Sequence, residues 1–173
     1  MSSHFHSLPF GAEPAGERGT RFRLWAPAAR QVEVEFADRP AQRMRGCAEG
    51  VFEVEVHCAA GTRYRYRIDG AQSVPDPASR AQAEDVHGYS LVVDPRAFTW
   101  QHQHWRGRPW HESIVYEAHV GCFGGTFSGL IERLPHLASL GATALELMPI
   151  ADFPGRRNWG YDGVLPYAPD AAY

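Results

Sequence analysis

The chain has 173 residues, of which 44% are hydrophobic, enough for one packed domain or for one small domain with part of another. Its net charge is −3 at pH 7 with neutral histidines, so neither nucleic acid nor an anionic membrane is expected as a partner. The three widely spaced cysteines fit neither a disulfide framework nor a paired zinc site. Residues 1–6 lack the pattern of a signal peptide, and we expect a cytoplasmic protein with reduced thiols.

Residues 1–19 are predicted to form a loose leader. Glycine and proline crowd the second half of this segment, and no hydrophobic period emerges there.

Apolar residues alternate with arginine or glutamate in four runs, at residues 21–24, 32–36, 52–56 and 64–68. A period of two places the apolar side chains on one face, which is typical of an antiparallel sheet with one solvated side. The glutamate-rich and arginine-rich outer faces can pair across neighbouring strands. Turn residues such as Asp69-Gly70 separate the runs, and a last strand is predicted at residues 90–93. We therefore expect an immunoglobulin-like antiparallel β-sandwich over residues 20–95.

Residues 96–112 are predicted to link this sandwich to a second part. The segment is rich in tryptophan, arginine and histidine, with Gly107 and Pro109 as chain breakers. Its histidines, His102, His104 and His111, lack a clear metal-ligand arrangement, so neither a metal nor a cofactor is expected.

The pattern after residue 112 predicts a strand, a helix and a second strand. Residues 114–120 and 142–148 are short apolar runs, and the second is expected to be a parallel strand buried on both faces. Leucine and isoleucine recur between the runs with helical spacing, although Pro135 either kinks that helix or begins a new one. One βαβ unit leaves its faces half covered. We therefore expect residues 113–173 to begin a (β/α)8 barrel, which needs about 250 residues, or a doubly wound sheet.

The loop after the second strand, within residues 149–169, is the predicted substrate site. It places aromatic residues, arginines, an asparagine and Asp162 between glycines and prolines. Polar and aromatic loops at the carboxyl ends of parallel strands form the sites of α/β enzymes. The alternative is a surface loop whose aromatic side chains only pack. Glu146, inside the strand, is expected to be buried and paired with a structural arginine.

Several motifs resemble one enzyme family. They are Leu-Trp-Ala-Pro at 24–27, Pro-Asp-Pro-Ala-Ser-Arg at 75–80, Leu-Glu-Leu-Met-Pro at 145–149 and Asn-Trp-Gly-Tyr-Asp-Gly-Val at 158–164. Together they resemble the maltooligosyltrehalose trehalohydrolases of glycoside hydrolase family 13, the α-amylase superfamily. Isoamylases and glycogen-branching enzymes share the architecture, but the second and last motifs favour the trehalohydrolases. Cys122, where the family usually has threonine, and a short loop at 123–127 depart from the pattern.

The resemblance implies a sandwich related to glycogen-binding modules, followed by a catalytic barrel that hydrolyses an α-1,4 bond of maltooligosyltrehalose and releases trehalose. It implies that Tyr161 stacks on a sugar and that Asp162 lies at the same subsite, with Trp159 and His119 as further candidates. His119 could instead satisfy a backbone group. The catalytic carboxylates of the family lie on later barrel strands, so no catalytic residue is assigned, and the fragment without its C-terminal barrel is expected to be inactive.

Two alternatives stay open. The sandwich could be a binding or scaffold module for an α-glucan, or the chain could be the first part of a related debranching or branching enzyme.

Overall fold

The computed structural model describes residues 8–102 and 104–173, so residues 1–7 of the predicted leader lie outside the described part. Among the described residues, nine strands lie between residues 11 and 91. Their bounds are Gly11–Pro14 (β1), Thr20–Trp25 (β2), Val32–Phe36 (β3), Gln42–Arg43 (β4), Arg45–Gly46 (β5), Val51–Val56 (β6), Arg63–Ile68 (β7), Gln72–Val74 (β8) and Ser90–Leu91 (β9).

These strands form two antiparallel sheets, which confirms the predicted sandwich. One sheet has the order β1-β2-β6-β5, and the other has the order β4-β3-β7-β8 with β9 also paired to β7. The inward residues of the period-two runs fill the space between the sheets. Phe22 and Tyr64 meet edge to face there, with ring centroids 4.9 Å apart. On the outer face, Arg65 lies opposite Glu35, and its Nε donates to the glutamate Oε2 at 2.8 Å, as the charge pattern predicts.

The prediction of a loose leader is wrong for Gly11–Pro14. These residues form β1, which pairs antiparallel with β2, so that Gly11 lies opposite Arg23 and Pro14 opposite Thr20. Edge strands pair through backbone hydrogen bonds and need no hydrophobic period, so the side-chain pattern carries no signal for this strand.

The second part contains four strands and two helices among the described residues. Their bounds are Val115–Ala118 (β10), Val120–Phe123 (α1), Phe127–Ser139 (α2), Ala144–Leu147 (β11), Ala151–Asp152 (β12) and Leu165–Pro169 (β13). As predicted, β10 and β11 pair in parallel with helix between them, and α2 continues through Pro135. Neither α-helix in the described part combines the length and apolar character needed to cross a bilayer.

The expectation that the second parallel strand is buried on both faces is wrong for this chain. In β11, Ala144 and Glu146 are exposed, and Leu145 and Leu147 are only partly buried. The two leucines pack on a small cluster around Leu130, whereas no described element covers the opposite face. Burial of a strand depends on the layers that pack on it, which the apolar run does not specify. Glu146 is exposed for the same reason, contrary to the expected buried pair.

Candidate functional site

The loop between β12 and β13, residues 153–164, folds back on the backbone that follows β11. Gly160 has a φ of 98°, and a Cβ added there would lie 2.7 Å from the carbonyl oxygen of Pro149. A Cβ on Gly163 would similarly lie 2.5 Å from the Cβ of Ala151. Only glycine allows this conformation and this approach, so the two glycines fix the loop close to the end of β11.

His119 anchors the loop from the end of β10. Its Nδ1 accepts a hydrogen bond from the backbone N–H of Cys122 at 3.2 Å, which caps α1. The ring proton therefore lies on Nε2, which donates to the carbonyl oxygen of Asn158 at 2.8 Å. The hydroxyl of Tyr173 lies 3.2 Å from the same nitrogen. His119 thus satisfies two backbone groups, which is one of the two roles considered for it. Through Asn158 it binds the loop to the end of β10.

The loop presents its aromatic residues and one carboxylate to solvent. Trp159 is 79% exposed and Tyr161 is 71% exposed, and Asp162 is also exposed. Asn158 faces inward instead, and its side-chain oxygen accepts from the N–H of Gly160. Trp159, Tyr161 and Asp162 therefore lie on one loop. His119 contacts this loop through the carbonyl group of Asn158, next to Trp159. Such a surface can bind a ligand with both apolar faces and hydroxyl groups.

An acidic cavity of about 460 Å³ lies at the base of the loop. Asp152 at its wall is 1% exposed, and neither carboxylate oxygen has a hydrogen-bond partner among the described residues. Burial, followed by the charges of Asp170 and Asp85, raises the pKa of Asp152 to about 7. Asp170 is satisfied, because its Oδ2 accepts from the N–H of Phe153 at 3.2 Å and its Oδ1 from Ala172 at 2.7 Å. The cavity is lined by Glu84, Asp85, Asp152, Phe153, Gly155, Arg156, Asp170, Ala171 and Ala172.

No role was predicted for Asp85 or Asp152. The groups that surround them come from segments far away in the chain, so local spacing carries no signal for them. The described residues contain no group of three or more histidine, cysteine, aspartate or glutamate side chains arranged to hold a metal ion.

Comparison with known proteins confirms the resemblance seen in the motifs. The chain is 42% identical to the malto-oligosyltrehalose trehalohydrolase of Saccharolobus solfataricus over 160 residues, covering 91% of this chain and 28% of that protein. It is 42% identical to the Deinococcus radiodurans enzyme of the same name over 176 residues, covering 100% of this chain and 29% of that protein. The chain thus spans less than a third of the length of these curated relatives.

A solved structure shows the same likeness. The crystal structure of a Salmonella typhimurium protein described as an alpha amylase has a TM-score of 0.93 and 45% identity, covering 97% of this chain and 29% of that chain. The similarity extends through the second part as well as the sandwich.

Residues 9–97 match the model of carbohydrate-binding module 48, the isoamylase N-terminal domain. This range includes all nine strands of the two sheets and more than half of the 173 residues. The chain therefore belongs to the family of carbohydrate-binding module 48, the isoamylase N-terminal domain.

Proposed function

We propose that this chain is the N-terminal part of a retaining glycoside hydrolase that cleaves the α-1,4 bond beside the trehalose unit of maltooligosyltrehalose and releases trehalose. Residues 11–95 form its sandwich, residues 96–112 link the two parts, and residues 113–173 begin a (β/α)8 barrel. The barrel is completed by a following segment. This segment corresponds to the part of the relatives that the chain does not match. The 42% identity to two malto-oligosyltrehalose trehalohydrolases supports this assignment.

The observation that carries the proposal is the exposed ring of Tyr161 beside Asp162, on the loop between β12 and β13 that comes soon after the parallel strand β11. The C–H face of a glucose ring lies well on an aromatic ring, and a neighbouring carboxylate accepts hydrogen bonds from sugar hydroxyls. The carboxyl ends of parallel strands are where (β/α)8 enzymes bind substrate. Trp159, 79% exposed, offers a second face. His119 contributes through the loop by holding the carbonyl group of Asn158.

Hydrolysis of a glycosidic bond needs two carboxyl groups on either side of it, about 5–5.5 Å apart in a retaining enzyme. We place this pair on the segment that completes the barrel. The residues of this chain then bind and orient one sugar ring while the pair acts on the bond. The chain alone is accordingly expected to be inactive, and trehalose release by the purified chain would contradict this assignment.

A chimera tests the proposal. The chain replaces the matched region of the Deinococcus radiodurans relative, and trehalose released from maltooligosyltrehalose is measured by chromatography. Tyr161→Ala is expected to lower kcat/KM at least about tenfold, since a lost stacking contact of about 1.4 kcal/mol corresponds to that factor. Tyr167→Ala is the matched control, because Tyr167 is a similarly exposed tyrosine on β13. Equal activities of the two variants would overturn the role of Tyr161.

The products of the same chimera decide between enzyme classes. Trehalose as the product supports the proposal, whereas new or removed branch points in an α-glucan would identify a branching or debranching enzyme instead.

A second candidate function is α-glucan binding by the sandwich itself. Trp25 favours it, because the ring is 61% exposed while its Nε1 donates to the carbonyl oxygen of Glu49 at 3.1 Å, which holds the ring in place. Affinity electrophoresis in a glycogen gel tests this. Retardation of the chain that is lost in Trp25→Ala but kept in Trp110→Ala, an exposed tryptophan of the linker, would support binding. Unretarded migration of the wild-type chain would exclude it.

A further inference from the structure

Two consecutive residues of the sandwich contact both ends of the loop that carries Tyr161 and Asp162. At the first end, Oδ2 of Asp85 accepts a hydrogen bond from the backbone N–H of Gly155 at 3.1 Å. At the other end, Val86 is 2% exposed and packs with Leu165 and Ala168 of β13 in a separate small cluster. The loop is thus held at its entry and its exit by residues that lie far away in sequence.

The turn that carries Asp85 is itself fixed to the sandwich. The N–H of Gly88 donates to the carbonyl oxygen of Asp85 at 2.7 Å and closes the turn. Gln82, 5% exposed, donates to the same oxygen at 3.4 Å and accepts from the hydroxyl of Ser79 at 3.0 Å. Gln82 also forms a bridge with Ser90, the first residue of β9. The position of Asp85 therefore follows that of the sandwich.

The middle of the loop is held by His119, which binds the carbonyl oxygen of Asn158, and by the close approach of Gly160 to Pro149. Between Gly155 and Leu165, Gly160 is buried and Asn158 is partly buried, whereas the other residues are exposed. Because most of this stretch is exposed, its position also depends on the contacts at its two ends.

We propose that Asp85 and Val86 are positioning residues, through which the sandwich sets the position of the loop that carries Tyr161 and Asp162. The contacts of Asp85 and Val86 with the loop are present whatever the loop binds. Only the effect of these contacts on sugar binding rests on the proposed function. The sandwich thereby becomes a structural part of the substrate site. Loss of either contact releases one end of the loop and moves Tyr161 and Asp162 away from the sugar.

Amide hydrogen exchange on the whole chain tests the link directly. Asp85→Ala removes the acceptor for Gly155, and exchange at Gly155, Gly160 and Val164 is expected to rise about tenfold while β3 and β7 stay unchanged. Asp85→Asn keeps one acceptor oxygen where the aspartate uses two, because Oδ1 of Asp85 accepts from the N–H of Val86, so its exchange is expected to lie between those of wild type and Asp85→Ala. The control is Asp38→Ala, an exposed carboxylate of the sandwich paired with the adjacent Arg39. Exchange in Asp85→Ala within twofold of the control would overturn the proposal, as would an equal rise of exchange in the loop and in β3 and β7.

Val86→Ala tests the other end. Its control is Val92→Ala, which removes the same two methyl groups from an equally buried site in the core between the sheets. Val86→Ala is expected to raise exchange at Gly155 and Val164 more than exchange in β3. Val92→Ala is expected to raise exchange in the loop and in β3 by the same factor. Equal ratios of loop to sheet exchange in the two variants would overturn the role of Val86.

Activity of the chimera separates this inference from the proposed function. If both the inference and the proposed function hold, Asp85→Ala lowers kcat/KM for maltooligosyltrehalose about tenfold, and Asp85→Asn lowers it less. If the chimera is inactive on every α-glucan tested, the proposed function fails while the exchange result still decides the link. If Tyr161→Ala impairs the chimera and Asp85→Ala does not, the proposed function holds and the positioning role is overturned.

Discussion

The Nε2 of His119 lies 2.8 Å from the carbonyl oxygen of Asn158, which joins the end of β10 to the loop that carries Trp159, Tyr161 and Asp162. The same ring caps α1 through Nδ1. One side chain therefore stabilises both the helix start and the loop, and a neutral ring with its proton on Nε2 satisfies both contacts.

His119→Phe is expected to lower the free energy of unfolding by about 2 kcal/mol, since it removes a helix cap and a hydrogen bond worth about 1 kcal/mol each. The aromatic ring beside Tyr173 is kept, so lost packing contributes little. Urea denaturation measures the difference. His136→Phe, at an exposed position of α2, is the control, and an equal effect at both positions would show that the contacts of His119 do not stabilise the chain.

Gly160→Ala is expected to destabilise the chain more than Gly125→Ala. Both glycines have a positive φ, 98° and 77°, so both variants carry backbone strain of about 1–2 kcal/mol. At Gly125 nothing lies within 4 Å of an added Cβ, whereas at Gly160 the Cβ would lie 2.7 Å from the carbonyl oxygen of Pro149. The collision adds about 1–3 kcal/mol. Urea denaturation of both variants checks this, and similar losses would show that the loop shifts freely.

Asp152 makes the stability of the second part depend on pH near neutrality. Burial, with the charges of Asp170 and Asp85, raises its pKa to about 7, above the ordinary value of 3.8. The folded state therefore holds this proton more tightly, and the associated stability is fully present below about pH 3.8 and is lost as the pH rises through about 7. Carboxyl ¹³C NMR should show this late titration, and Asp152→Asn should remove the loss of stability. Titration of Asp152 near 4 would contradict the prediction.

Asp76, in the Pro-Asp-Pro motif, has the same sign of dependence inside the sandwich. Burial raises its pKa to about 6, although Tyr64 donates to its Oδ2 at 2.6 Å and Ala78 to its Oδ1 at 2.8 Å. Stability from this group is present below about pH 3.8 and is lost as the pH rises through about 6. Relative to Asp76→Asn, the wild-type chain should lose about 2 kcal/mol of unfolding free energy between pH 4 and pH 8.

Urea denaturation across this pH range measures the effect of Asp76. Asp38→Asn is the contrasting control, because Arg39 lowers the pKa of Asp38, whose contribution is present at high pH and is lost as the pH falls. A slope for Asp76→Asn that matches that of the wild-type chain would refute the assigned pKa.

Local patterns predicted much of the fold correctly. Alternation around Phe22, Val34 and Tyr64 predicted the sandwich, because a period of two is a property of each strand and needs no knowledge of its partners. The apolar spacing through Leu130 and Leu137 predicted α2 for the same reason, and both leucines are buried. Glycine-rich and polar residues after β11 predicted an irregular segment, and residues 153–164 form a loop between β12 and β13.

These local patterns did not predict the contacts between distant segments of the chain. The strand at Gly11–Pro14 was missed because its four residues contain no alternation of apolar and charged side chains. Burial of β11 was overestimated because it depends on layers supplied by other parts of a fold. The anchors of the loop, His119 below it and Asp85 at its entry, lie 39 and 70 residues away in sequence from the backbone groups that they bind.

The sequence by itself determined the strands of the sandwich, the parallel strand pair and the aromatic and acidic residues of the loop, because each follows from local spacing and residue chemistry. Only the tertiary structure decided that residues of the sandwich contact both ends of that loop and that burial raises the pKa of Asp152 to about 7. Hydrogen bonding and burial depend on which distant groups fold into contact, and no local spacing encodes that.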